Sequence, residues 1–326
     1  MEFAHLCGQY KRMPLAAYRL YADAFNADPK PSADLLWQHR YNAACYAALA
    51  AGGQGEDTPL LPDKVVVMLR RQALQWLRAD LALWATHLQT TRPEAPGEMA
   101  QALRNWQQNR QLAAVRDREA LAPLPVEDRQ ACERLWEEVA IYRTKAEAKA
   151  RYVSDLERRL SVLLGGEWKP ATVQELLTVA RLATHGHREF AATARLFERS
   201  LMANPDWAHF PADSPCYFGV CCAVVAASGE GAGAVTLDEA GRRHLRHQGL
   251  AWLRDELGRK NKRLADGTPT DRTEVATSLA YWQGDGWLAG VRDKEALDKL
   301  PDDERKEWRQ LWDDVAALLK TVEGKK

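Results

Sequence analysis

Laid over itself so that Leu69 falls on Leu245, the sequence matches itself without gaps in several separate segments, so whatever architecture the chain adopts it adopts twice. LRRQALQWLRADL at 69–81 lies on LRHQGLAWLRDEL at 245–257 with 8 of 13 positions identical. LRNWQQNRQLAAVRDREAL at 103–121 lies on LAYWQGDGWLAGVRDKEAL at 279–297 with 11 of 19 identical. The same displacement sets Tyr41 on Tyr217, Cys45 on Cys221 and Pro29 on Pro205. It also pairs Trp76 with Trp252, Trp106 with Trp282 and Trp136 with Trp312. These matches divide the chain into a first copy at 1–150, a connector at 151–176 and a second copy at 177–326. Equivalent burial is the simplest reason for two diverged copies to keep a large aromatic, so the six paired Trp residues are expected in the core.

Within each copy the period is helical. Leu69, Ala73, Trp76, Leu77, Leu81 and Trp84 fall on one face of a helix while Arg70, Arg71, Arg78 and Asp80 fill the rest. The pattern predicts helices at about 2–9, 14–27, 33–51, 64–88, 97–108 and 126–147, with a short turn near 117–122, and the same set at the displaced positions of the second copy. Pro29 with Pro31, the run Gly52-Gly53-Gln54-Gly55, Pro93 with Pro96, and Pro123 with Pro125 act as stops. The connector continues the preceding helix through Val153, Leu156, Leu160 and Leu163, then breaks at Gly165-Gly166. No alternating strand pattern occurs, so the class expected is all-α, internally duplicated.

Ala17, Tyr21, Ala24 and Pro29 stand at the spacing of the small, aromatic, small and Pro positions in the second helix of a tetratricopeptide repeat. On these residues the chain resembles tandem TPR-like helical hairpins, which implies a right-handed solenoid. HRYNAACYAALAAGGQGED, LRRQALQWLRADLALW and LPVEDRQACERLWEEV are also similar to the region that follows the catalytic domain in many bacterial eukaryotic-type Ser/Thr protein kinases. That resemblance implies an interaction or regulatory module and transfers no functional residue. The kinase motifs themselves do not occur in the sequence. Val115-Arg116-Asp117 and Val291-Arg292-Asp293 echo a catalytic loop, yet Ala122 and Asp298 stand where its metal-binding Asn belongs. Asp117 and Asp293 are read instead as helix N-caps.

Other candidate chemistry reduces to structure. His244 and His247 share a helical face with no carboxylate or Cys at ligand spacing, and His185 and His187 flank Gly186 in a turn. Cys45 and Cys221 recur in Ala-rich helices as small apolar fillers, with Cys222 on another face. Gly229 to Gly233 and Gly52 to Gly55 follow helices and lack the Gly-Lys-Ser/Thr ending of a phosphate loop, which leaves them as helix C-caps. Glu137-Glu138 diverge around a helix, and Arg259, Lys260, Lys262 and Arg263 form the one basic run. No cofactor and no metal are expected.

Lys plus Arg and Asp plus Glu both number 45, so no net field draws in nucleic acid or anionic lipid. Six Cys without a C-x-x-C pair imply a reducing compartment, and neither a secretory h-region nor a membrane-length apolar run occurs, so the chain is expected in the cytoplasm. The function expected is a non-catalytic scaffold for a protein or peptide partner. The alternative is a regulatory accessory region of a signalling kinase. First helices line the concave side of helical-hairpin arrays, so Gln38, Asn42 and Tyr46 are the expected groove residues. Trp37, Trp207, Trp287 and Trp308 are unpaired by the displacement, and any left exposed is a candidate partner anchor.

Overall fold

A computed structural model of the chain describes residues 2–30, 34–35, 37–58, 60–90, 92–209, 214–265 and 267–323. Helix makes up 81 % of the structure, and no strand occurs among the described residues. The chain divides into two compact units, Met1–Ser154 and Asp155–Lys326.

Unit 1 holds α1 (Glu2–Gln9), α2 (Pro14–Ala27), α3 (His39–Ala51), α4 (Asp63–Gln89), α5 (Ala95–Gln108), the short α6 (Ala113–Arg116) and α7 (Arg118–Leu121), and most of α8 (Val126–Arg158). From α1 to α5 each helix packs on the next, the pattern of successive hairpins. Unit 2 runs from the end of α8 through α9 (Leu160–Leu164), α10 (Val173–Arg181), α11 (Phe190–Ala203), α12 (Pro215–Ala227), α13 (Glu239–Ala265) and α14 (Pro269–Gly284). It closes with α15 (Ala289–Arg292), α16 (Lys294–Leu297) and α17 (Asp302–Glu323). Again α10 to α14 pack in sequence, and α17 lies on α13 and α14.

Several expected boundaries move. The third helix starts at His39, not 33, because Gln38 takes a left-handed conformation at φ 52° that ends any helical run before it. Residue 33 and the stop at Pro31 lie outside the described residues. Pro96 is not a stop: it sits in the first turn of α5, where its missing N–H costs nothing. α8 runs on to Arg158, since no Gly or Pro interrupts it before Gly165. The stretch 151–176 therefore holds the end of α8, all of α9, and Thr172, whose hydroxyl accepts from the Glu175 N–H to cap α10.

α3 is enclosed on nearly every side, and its Ala residues allow α2 and α4 to approach closely. At its end Gly53 takes φ 68°, and its counterpart Gly229 takes φ 89° after α12, each the left-handed turn that only glycine makes without strain. Of the six Trp expected in the core, only Trp106 and Trp282 are fully buried. Trp76, Trp136, Trp252 and Trp312 are half-buried, a correction with a simple cause: an indole at a hairpin's edge packs one face and keeps its rim wet. Trp136 and Trp312 direct their rim nitrogens inward, donating to the carbonyls of Val115 at 2.7 Å and Val291 at 2.8 Å. Trp76 packs against Tyr18 and Phe25. Trp308, with no aromatic counterpart at Cys132, is among the most deeply buried residues of unit 2.

Each unit also buries an ion pair, but at different places. In unit 1 Arg40 of α3 meets Asp80 of α4 at 3.4 Å. In unit 2 Arg246 of α13 forks onto Glu304 of α17, at 2.6 and 3.1 Å, and reaches Glu239 at 2.6 Å.

Candidate functional site

The same joint recurs in both units. Tyr41 of α3 stacks on Trp106 of α5 at 5.6 Å and 8°, and Tyr217 of α12 stacks on Trp282 of α14 at 5.6 Å and 5°. After each Trp helix the chain turns through Asn109 or Asp285, whose side-chain oxygen caps a 3-10 turn by accepting from the N–H of Gln111 or Trp287. Arg116 and Arg292 clamp the turn from behind, donating to the Asn109 carbonyl at 2.7 Å and the Asp285 carbonyl at 2.6 Å. Asp117 and Asp293 stand at helix N-cap positions, but neither side chain bonds the helix. Each holds the Arg before it, at 2.8 and 2.9 Å.

At this joint unit 2 opens a cleft of about 430 Å³. Asp285 stands among its lining, accepting the Tyr217 hydroxyl proton at 2.6 Å and a weaker bond from Cys221 Sγ at 3.9 Å. Trp287 sets its ring edge-on to Phe190 at 5.6 Å and lies near Phe218, while the Arg181 guanidinium sits over the Phe218 ring at 5.6 Å. Tyr281, largely exposed, stands 6.1 Å from Tyr217 at the rim. The result is an aromatic cleft with one carboxylate and one guanidinium, suited to recognising a side chain.

Burial and the Asp285 charge hold the Cys221 thiol well above its usual range, and burial likewise raises Tyr217, so neither supplies an anionic nucleophile near neutral pH. Cys45 is pushed up to about 12 by burial. Among the described residues no group of three or more His, Cys, Asp or Glu is placed to hold a metal ion. His244 meets Glu198 at 3.1 Å, and three cations of the basic run are taken up locally: Arg259 by Asp255 and Glu256, Lys260 by Glu256, Arg263 by Asp271 and Glu274. Among the described residues no helix is long and apolar enough to cross a membrane.

The three residues expected to border one groove do not come together. Tyr46 is buried against Tyr21, with rings stacked at 6.1 Å, and belongs to the core of the first hairpin. The expectation fails there because a helix buried on nearly every side has no free face for Tyr46 to occupy. Asn42 is half-buried and lines a cleft of about 820 Å³ with His5, Tyr21 and Trp37. Gln38 is exposed ahead of α3 and lines a different cleft, of about 650 Å³, with Trp84 and His87. Of the unpaired Trp residues, Trp37 is 67 % exposed and stacks on His39, Trp207 and Trp287 are half-buried, and Trp308 is buried.

Sequence reasoning did not single out Asp285 or Tyr281. The available signal was the Tyr41–Tyr217 and Trp106–Trp282 pairing, which marks the joint but not the lining. Comparisons with protein-family models, with curated proteins and with solved structures each return no match.

Proposed function

We propose that this chain is a non-catalytic scaffold of two tandem TPR-like units, whose hairpins wind in the right-handed sense of a solenoid, and that it binds a protein or peptide segment in the aromatic cleft of unit 2. The observation that carries the reading is the cleft formed by Phe218, Tyr281, Asp285 and Trp287 on a joint whose frame recurs in unit 1 without that lining. Aromatic side chains offer large contact area at low entropic cost, and the carboxylate gives the site polarity and orientation. The raised thiol and phenol favour recognition over turnover. The sequence resemblance to kinase-associated regions suggests that such a scaffold works beside a Ser/Thr kinase in the cytoplasm.

The test is site-specific photo-crosslinking. A benzophenone amino acid replaces Tyr281 in one variant and Asn105, its counterpart in unit 1, in another, and crosslinked segments from a lysate of the native host are sequenced. One recurrent segment captured at 281 and not at 105 supports the reading. Capture with equal frequency and no common segment at both positions refutes it.

A further inference from the structure

The first hairpins, α1–α2 and α10–α11, carry the same local geometry. Arg12 and Arg188 both take φ 54°. The Arg12 carbonyl accepts from the Glu56 N–H at 2.8 Å and the Arg188 carbonyl from the Ala232 N–H at 2.9 Å, both partners again related by the displacement that pairs the copies. α2 and α11 start and stop at that same displacement, Pro14 to Phe190 and Ala27 to Ala203. Positions on the two hairpins can therefore be compared one by one.

They differ in what covers them. Val179, Leu182 and Leu196 are 0 %, 8 % and 0 % exposed, whereas their counterparts Phe3, Leu6 and Leu20 are 77 %, 48 % and 40 % exposed. In unit 2 the chain just ahead of the hairpin packs on its second helix: α9 lies against α11, which carries Leu196, and Leu156, Leu160 and Leu163, spaced i, i+4 and i+7, are all buried. The end of α8 is tied to the loop after α10 by Glu157, whose carboxylate lies 3.9 Å from His187 Nε2. In unit 1 the residue at the His187 position is Lys11, which is exposed.

We infer that the Phe3, Leu6 and Leu20 face of unit 1 is a seat for an amphipathic helix supplied by a partner protein, one presenting Leu at i, i+4 and i+7 with a carboxylate just after the first Leu. This rests on the tandem-unit reading, but it concerns a surface separate from the aromatic cleft. Unit 2 supplies the template for the occupant, and Lys11 supplies the complementary charge.

A fluorescent peptide with the sequence of residues 151–167 is the probe, titrated into the full chain and read by anisotropy. Saturable binding is expected, weakened at least about tenfold by Leu6→Glu or Leu20→Glu and about threefold by Lys11→Glu. The substituted side chains are exposed enough to leave the melting temperature within about 2 °C of the parent. A peptide with Leu156, Leu160 and Leu163 changed to Glu is expected not to bind. Absence of saturable binding, or binding that Leu6→Glu and Leu20→Glu leave intact, overturns the seat. A dimer in sedimentation that Leu6→Glu abolishes overturns it too, by assigning the face to a second copy. Crosslinking at position 281, repeated on the Leu6→Glu variant, separates failure of this inference from failure of the scaffold reading: a recurrent segment still captured there leaves the scaffold standing.

Discussion

Where unit 2 carries Phe218, Tyr281, Asp285 and Trp287, unit 1 carries Asn42, Asn105, Asn109 and Gln111 at the same displacement. The frame behind these positions hardly differs: a Tyr stacked on a buried Trp, an Arg holding the turn, an indole donating to the carbonyl before it. Only the lining changes, from amides to aromatics and a carboxylate. One exchange even reverses a bond, since Asn109 donates to the Tyr41 hydroxyl at 2.7 Å whereas the Tyr217 hydroxyl donates to Asp285 at 2.6 Å. The lesson is a separation of roles. Residues that build the joint are held by packing in both units, while those facing the cleft are free to acquire a different chemistry in each.

The largest effects should fall on the shared frame. Trp106→Ala and Trp282→Ala each remove a fully buried indole and should each cost about 3 to 5 kcal/mol in urea unfolding. Trp76→Ala and Trp252→Ala, at half-buried positions, should cost about 1 to 3 kcal/mol. Equal losses at all four sites would mean that the frame is not concentrated at the joint.

Buried charge comes next. Arg246→Met removes the bidentate partner of buried Glu304, leaving Arg243 at 3.6 Å, and should destabilise the chain by about 3 kcal/mol. The counterpart, Arg70→Met, should cost under about 1 kcal/mol, because the buried Arg70 Nε has no hydrogen-bond partner and Asp128 pairs with Arg71 instead. A large loss at Arg70 would show that the two units share this ion pair after all.

The pH response should also differ between units. Burial pushes Asp80 up to about 7 against the opposing pull of Arg40. Between about pH 4 and 7 the folded chain then keeps a proton that the unfolded chain has released, so stability contributed by unit 1 declines as pH rises through this window. Asp271 in unit 2 has the opposite sign: its bonds to Thr268 and then Arg263 lower it to about 2, so its contribution is present above the ordinary carboxylate range and is lost as pH falls toward 2. Hydrogen exchange of α3 and α4 across pH 4 to 7 should show the decline, and Asp80→Asn should flatten it. An unchanged slope in that variant would assign the response to other groups.

Smallest of all should be the exchange of the bond-reversing pair. Asn109→Asp and Asp285→Asn each keep a partner for the Tyr hydroxyl, so each should shift stability by no more than about 1 kcal/mol.

Helices were legible in the sequence wherever one face was apolar and the other charged, as in α4, because the stripe and the solvent face define each other. α3 shows the limit. Ten of its 13 residues are buried, so periodicity could say that a helix was there but not which way Tyr46 points. Its start was hidden as well, in the left-handed backbone of Gln38, a residue type with no special claim to that conformation. The continuation of α8 past 147 is legible in the stripe Val153, Leu156, Leu160 and Leu163, and Gly165 ends the helical run, but the break at Arg159 between α8 and α9 has no Gly or Pro to mark it. As for the cleft, Tyr217 and Asp285 lie 68 residues apart, and only the fold makes them neighbours. The matched positions mark the joint by what the two units share, and the candidate site lies in what they do not.

The central claim, that the aromatic lining of unit 2 is the binding surface, is tested most directly by giving unit 2 the residues of unit 1. A segment captured at position 281 is synthesised, and its affinity is measured for the parent chain and for a Tyr281→Asn, Trp287→Gln double variant whose melting temperature is followed alongside. The account predicts binding at least about tenfold weaker with folding retained. Unchanged affinity in a folded double variant would contradict it.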